Sequence, residues 1–253
     1  MKRGRKMNAI LYICHGSRVK EASDQAVSFV RKIMKKVDTP IQEVGFLELS
    51  HPTVSQSFEH CVNQGATNII VIPILLLTAA HAKKDIPDEI AHQQKRFPHV
   101  EVKLGRPIGV NDQMVDLLLE KMTETGKLIT QEDTVLLIGR GSSDSDVKRD
   151  LSLIGEKLKQ KAKIKKVEVC FLAAARPTLQ EGLKIVQMTG ANQVFIIPYL
   201  FFTGVLMKKV QAEIQKVKDD HGTKWILCNY LGYHPIIENI IMDQIQQLLD
   251  TRH

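Results

Sequence analysis

An internal repeat constrains the fold of this chain more than any other feature of its sequence. The chain has 253 residues, and many of them recur 125 positions later. Between residues 44 and 84, about 13 of 41 positions are identical to their partners, without a gap. A register held over this length indicates a tandem duplication. We predict an N-terminal domain over residues 1–125 and a C-terminal domain over residues 131–253.

Each repeat alternates predicted strands with predicted helices. Ala9–Cys14 is an apolar run bounded by glycine and serine, which is typical of a buried strand. The following segment, from Ala22 to Val37, has apolar residues at helical spacing. Because this series continues through both halves, we predict an α/β fold with two similar, doubly wound parallel sheets. The common strand order 2-1-3-4 is expected in the first.

The net charge, the apolar segments and the cysteines indicate which partners and which cellular compartment to expect. The net charge of +7 suits an acidic partner such as nucleic acid, anionic lipid or a polyanionic small molecule, or merely a basic surface. The most apolar stretch, Ile69–Ala82, is too short to span a bilayer. The apolar run after the basic start is too short for a signal peptide, so we expect a cytoplasmic protein. The four cysteines form no C-x-x-C pair and are expected to be buried thiols.

Three side chains that bind metals follow the first three predicted strands. His15 comes after the first strand, Glu48 ends the second, and His81 lies in the loop after the third. Ligands of open parallel sheets bind beyond the carboxyl ends of the strands, so we expect these residues to lie close together. Two imidazoles and a carboxylate suit Fe²⁺, Co²⁺, Ni²⁺ or Zn²⁺ and leave coordination positions open.

The second repeat serves as an internal control for this site. The positions 125 residues after the three candidates hold Arg140, Ala173 and Leu206, whereas the surrounding glycines, prolines and lysines persist. Residues needed for folding would be expected in both repeats. The second repeat lacks all three candidates. This favours a shared role unrelated to packing over the alternative that they are three polar residues with no common role.

Other motifs are weaker. Gly139–Ser143 looks like a phosphate loop but lacks the ending of a P-loop, which leaves a nucleotide- or sugar-binding module as a rival hypothesis. His51 and its partner Arg176 either hold an anion or cap a helix. Cys14 is expected to face the core if His15 faces the site, because neighbouring strand residues point to opposite sides. No motif indicates a nucleic-acid binder.

Several of these motifs resemble one family. Ile13–Arg18, Phe46–Glu48 with the following Pro52-Thr53, and Pro73–His81 are similar to the class II chelatases. More narrowly, they resemble the long bacterial sirohydrochlorin chelatases, over almost the whole chain. One departure is Cys14, where that family usually has glycine.

The resemblance implies a fold, a reaction and a set of site residues. The fold would be two similar α/β domains facing each other across a cleft. The reaction would insert Fe²⁺ or Co²⁺ into sirohydrochlorin, for sirohaem or cobalamin, with release of two pyrrole protons. His15, Glu48 and His81 match the metal-binding and catalytic positions: the histidines would hold or present the metal, and Glu48 would be a ligand or general base. The metal is a substrate, and no permanently bound cofactor is implied.

The implied substrate is a polycarboxylate tetrapyrrole, which suits a basic protein. Residues expected near its carboxylates are Ser17, Arg18, Lys83, Arg140, Ser142 and Ser143, with Lys84, Lys208 and Lys209 as further candidates. Short members of the family are single-domain homodimers, so a chain that holds both halves is expected to be a monomer. No membrane partner is expected. The rival from another class is a non-enzymatic carrier of metal or tetrapyrrole with the same fold.

Overall fold

The computed structural model describes residues 6–79, 81–201, 205–217 and 222–251, with only the backbone described at His81 and Val205. These residues form two compact units. One comprises the described residues up to Gly109 together with those from Ile237 onward, and the other comprises those from Val110 to Ile236. Each unit contains one four-stranded sheet.

The first unit holds a parallel sheet with the predicted strand order. Its elements are β1 (Asn8–Cys14), α1 (Lys20–Met34), β2 (Ile41–Phe46), α2 (Val54–Asn63), β3 (Asn68–Pro73), a π-helical turn (His81–Asp85), α3 (Ile86–Arg96) and β4 (Glu101–Leu104). The strands lie in the order β2-β1-β3-β4, and every neighbouring pair is parallel.

The second unit repeats this plan. The remaining elements are α4 (Asp112–Thr123), β5 (Thr134–Gly139), α5 (Ser145–Ala162), β6 (Lys166–Phe171), α6 (Leu179–Gln187), β7 (Gln193–Tyr199), α7 (Val205–Val217), β8 (Lys224–Leu227) and α8 (Pro235–Asp250). Its parallel sheet has the order β6-β5-β7-β8. The predicted α/β fold with two similar domains is thus confirmed. Among the described residues, no helix has the length and apolar character to cross a bilayer.

Strand β1 shows why these apolar runs form central strands. Leu11 belongs to one core cluster together with Phe58 of α2. Ile10 and Tyr12 point to the opposite face of the sheet and are also fully buried. A strand covered on both faces requires apolar residues at every position, which is the pattern that the sequence shows.

The compact units and the sequence repeats differ in their last helices. Helix α8, at the end of the second repeat, belongs to the first unit. There Lys103 donates a hydrogen bond to the carbonyl oxygen of Leu248 (2.8 Å), and Gln244 donates one to that of Arg106 (2.9 Å). Helix α4, at the end of the first repeat, packs on α5 in the second unit. Each sheet is therefore covered partly by a helix from the other repeat.

One extra residue distinguishes the first repeat from the second between β3 and α3. Lys84 matches Lys209 at an offset of 125, but Ile90 matches Ile214 at an offset of 124. Helix α7 is a regular α-helix across these positions, whereas the first repeat forms the π-helical turn His81–Asp85. A π-turn accommodates one inserted residue in an α-helix. The turn therefore absorbs the insertion and keeps Ile90, like Ile214, in the core.

Candidate functional site

Two of the three candidate ligands meet at the ends of adjacent strands. Strands β1 and β2 pair in parallel up to Cys14 and Phe46. Backbone hydrogen bonds continue past them, and the amide of Glu48 donates to the carbonyl oxygen of His15 at 3.1 Å. The side chains follow, with Nδ1 of His15 lying 3.4 Å from Oε1 of Glu48. The structure thus brings the imidazole and the carboxylate together.

Both side chains of this pair are accessible to solvent. The imidazole of His15 is 20% exposed and the carboxylate of Glu48 is 44% exposed. Nδ1 of His15 also lies 3.2 Å from the carbonyl oxygen of Gly16. A proton on Nδ1 would be held by these two acceptors, and Nε2 would then keep its lone pair, the form in which a neutral imidazole binds a metal.

The third candidate, His81, begins the π-helical turn, and its side chain lies outside the described residues. Its segment nevertheless adjoins Glu48. A groove of about 390 Å³ is lined by Glu48 together with Asp85 of the π-turn and Glu89 of α3. The described residues alone contain no group of three histidine, cysteine, aspartate or glutamate side chains that could hold a metal. The three-ligand set therefore stays a prediction.

The backbone beneath this pair is built twice. Gly16 and Gly141 have φ values of +92° and +90°, a conformation that favours glycine. A Cβ atom added to Gly16 would lie 1.7 Å from the carbonyl oxygen of Glu48, and one added to Gly141 would lie 1.9 Å from that of Ala173. The amide of Ala173 likewise donates to the carbonyl oxygen of Arg140 at 2.9 Å. The second repeat thus forms the same scaffold without the histidine or the glutamate.

The residues predicted to bind substrate carboxylates lie at the carboxyl ends of the two sheets. They are Ser17 and Arg18 after β1, Lys83 in the π-turn, and Arg140, Ser142 and Ser143 after β5. The cationic side chains among them are exposed. The two serines that match in the repeats have a local role, since the Ser17 and Ser142 hydroxyl oxygens accept hydrogen bonds from backbone amides two residues later, at 3.0 and 3.1 Å.

His51 and Arg176 lie beside matching helix caps. Nδ1 of His51 is 3.4 Å from Oε1 of Gln56, and Arg176 pairs with Glu181 at 2.6 Å. Gln56 and Glu181 are the third residues of α2 and α6, and each completes a capping box. The pKa of Glu181 is lowered, first by the backbone amide of Thr178 and also by Arg176. These contacts favour helix capping over anion binding.

Cys14 faces the core, as predicted. Its side chain is buried, and burial raises the pKa of its thiol to about 12. A thiol enclosed in the core is not available to a metal ion at the end of the strand. The other three cysteines are also free and buried, which confirms the expectation from the sequence.

Sequence analysis missed the side chain that fastens the loop after β2 to the loop after β1. The hydroxyl of Ser50 accepts a hydrogen bond from the amide of Ser17 (3.1 Å) and donates one to the carbonyl oxygen of Ser17 (3.2 Å). It also lies 2.8 Å from the hydroxyl of Ser23. The comparison of the two repeats could have identified Ser50, because the second repeat has Ala175 at the matching position.

Comparisons with known proteins agree with this fold. The CbiX family model matches the chain twice, over residues 9–125 and 134–248. A sirohydrochlorin ferrochelatase from Priestia megaterium is 51% identical over 246 residues, covering 97% of this chain and 92% of the relative. A sirohydrochlorin cobaltochelatase from the same organism is 36% identical over 252 residues, covering 98% of this chain and 82% of the relative.

A solved structure is similar over nearly the same length. SirB from Bacillus subtilis with Fe³⁺ matches with a TM-score of 0.87 at 40% identity, covering 97% of this chain and 96% of that one. The family match spans both repeats, and the relatives match along most of their own length. This chain therefore belongs to the CbiX family, as its motifs predicted.

Proposed function

We propose that this protein is a sirohydrochlorin chelatase that inserts Fe²⁺, or Co²⁺, into sirohydrochlorin on the way to sirohaem or cobalamin. The observation that carries this proposal is the contact of His15 with Glu48 on a scaffold that the second repeat keeps without either side chain. The relatives named above as sirohydrochlorin ferrochelatase and cobaltochelatase support it. The higher identity to the ferrochelatase favours iron as the metal.

The reaction exchanges one dication for two pyrrole protons. In this proposal His15 and His81 hold or present the metal ion, because neutral imidazoles bind such ions without adding charge. Glu48 assists as a ligand or accepts a pyrrole proton, and its exposed carboxylate is accessible for either role. The N-terminal domain, 1–125, thus carries the metal chemistry.

The substrate's carboxylates call for cations and hydroxyl donors. Arg18 and Lys83 in the first unit, and Arg140 in the second, are exposed and have the required charge. The hydroxyl of Ser17 accepts from a backbone amide and keeps its own proton for a carboxylate, and Ser142 matches it. Ser143 completes the proposed set, and the net charge of +7 attracts a polyanion.

The expected setting is a monomer in the cytoplasm that has no nucleic-acid or membrane partner. The free, buried cysteines are compatible with a reducing compartment. Sedimentation tests the oligomeric state, and an obligate dimer would contradict this expectation.

Metal insertion followed by absorbance tests the proposal directly. The purified protein is mixed with sirohydrochlorin and either Fe²⁺ or Co²⁺, and the variants His15→Ala and His81→Ala are measured beside it. Both variants are expected to lose insertion activity by roughly 100-fold or more. His60→Ala is the matched control, since His60 pairs with Glu43 at 2.9 Å outside the groove. Full activity in both site variants would contradict the proposed site.

A carrier of metal or tetrapyrrole would use the same ligands without turning over. An assay with sirohydrochlorin and metal in excess over the protein distinguishes a chelatase from a carrier. A chelatase forms many equivalents of metallated product per protein, whereas a carrier stops at about one.

A further inference from the structure

Leu49 adopts a backbone conformation that is unfavourable for leucine. It directly follows Glu48, its φ is +61°, and the residue is 52% exposed. Glycine adopts this left-handed region without penalty, whereas a Cβ atom crowds the following carbonyl oxygen. Strain of this kind often accompanies a functional position.

The surrounding loop imposes this conformation on residue 49. The amide of Glu48 is bonded to the carbonyl oxygen of His15, and in the second repeat the amide of Ala173 is bonded to that of Arg140 in the same way. The Ser50 hydroxyl adds bonds to Ser17 in the first repeat alone. In the second repeat Ala174 has a φ of +51° at the matching position. The left-handed backbone is therefore a property of the scaffold and independent of the leucine side chain.

The side chain of Leu49 also contributes little to the core. About half of the residue is exposed, and the second repeat has only the methyl group of Ala174 there, which is exposed as well. Glycine would suit this backbone better, and alanine would suit it as well as leucine does. The second repeat shows that this loop forms without a leucine, whereas a bound ligand with an apolar face would account for both the size and the apolar character of the side chain.

We propose that Leu49 is a substrate contact whose isobutyl group packs against the apolar face of the tetrapyrrole ring. This inference rests on the proposed function. Leu49 follows Glu48 at the carboxyl end of β2, where parallel sheets bind ligands. A conjugated macrocycle with charged groups only at its rim offers a flat apolar face, and an exposed leucine is complementary to that face. The side chain of Leu49 has no polar atom, so it can contribute to the affinity for sirohydrochlorin but not to metal binding or proton transfer. Those two roles belong to other residues.

Leu49→Ala tests this proposal, because it installs the residue that the second repeat carries in the same conformation. The KM for sirohydrochlorin, and its Kd measured without metal, are expected to rise roughly ten-fold through loss of buried apolar area. The KM for Co²⁺ and the kcat are expected to stay within about two-fold, and the melting temperature to stay equal. Leu49→Met is expected to restore the affinity. Ala174→Gly is the matched control and is expected to change neither KM.

Two results would overturn the inference. One is an unchanged Kd for sirohydrochlorin in Leu49→Ala. The other is a melting temperature lowered in Leu49→Ala but not in Ala174→Gly, which would assign the side chain to the fold. A wild-type protein that binds sirohydrochlorin but inserts no metal would contradict the proposed function instead, and the metal-free titration would still decide the role of Leu49.

Discussion

Lys209 donates a hydrogen bond from its Nζ to the carbonyl oxygen of Leu172, the residue that directly follows β6, at 3.2 Å. Leu47 is the residue that matches Leu172 in the first repeat, and there it lines the groove beside Asp85. The extra residue before α3 adds the carboxylate of Asp85 to the groove that Glu48 lines, and it shifts the helical phase of the turn that begins at His81.

Deleting Asp85 is expected to convert the π-turn into a regular helix like α7. Residues before the deletion would turn by about 100° relative to α3, which moves position 81 away from its native orientation. We expect insertion activity to fall at least roughly 100-fold. The fold should persist, since α7 shows that a regular helix is compatible with it. Activity and melting temperature are compared with those of Asp85→Asn, which keeps the length. A fully active deletion variant would show that the helical phase is irrelevant.

Glu48→Gln should separate chemistry from folding. Glutamine keeps the size of the side chain but accepts protons poorly, so kcat is expected to fall roughly 100-fold or more. The melting temperature should not change, because the second repeat forms the same loop with Ala173. Steady-state insertion and thermal unfolding measure the two effects. Glu43→Gln, at the ion pair with His60, is the matched control. Equal activity of both variants would remove Glu48 from the mechanism.

Gly16→Ala should destabilise the protein through two effects. The φ of +92° is unfavourable for alanine, and the new Cβ atom would displace the carbonyl oxygen of Glu48. We expect a loss of about 3 kcal/mol in the free energy of unfolding, measured by urea denaturation. Gly65→Ala has the same φ with no atom within 4 Å, and should lose only about 1 kcal/mol. Similar losses for the two variants would argue against the steric contact.

The buried thiols predict a loss of stability at alkaline pH. Burial raises the pKa of each of the four cysteines to about 12, whereas an unfolded thiol ionises near its ordinary, lower value. Above about pH 9 the unfolded state therefore releases protons that the folded state keeps. The free energy of unfolding should fall by up to about 1.4 kcal/mol per pH unit per thiol. Urea denaturation at pH 7.5 and pH 10 measures this slope, and Cys228→Ala should reduce it. A stability that does not change with pH in this range would contradict the prediction.

Local patterns in the sequence were sufficient to predict the strands and the site candidates at their ends, whereas the strand order was expected because it is common in sheets of this kind. A strand buried on both faces is apolar at every position, as Ala9–Cys14 is, so it can be recognised without knowledge of its neighbours. The duplication then served as an internal comparison, which singled out His15 and Glu48 because the second repeat lacks both. Their contact follows from the pairing of β1 with β2.

Features that depend on packing between distant segments were decided only by the tertiary structure. An apolar helix face fits either of two similar sheets, so the sequence alone does not assign α4 or α8 to a unit. The left-handed backbone of Leu49 belongs to a loop that a backbone hydrogen bond from Glu48 joins to His15, a residue far away in the chain. The sequence shows an extra residue before α3, but whether a loop or a π-turn absorbs it depends on keeping Ile90 in the core.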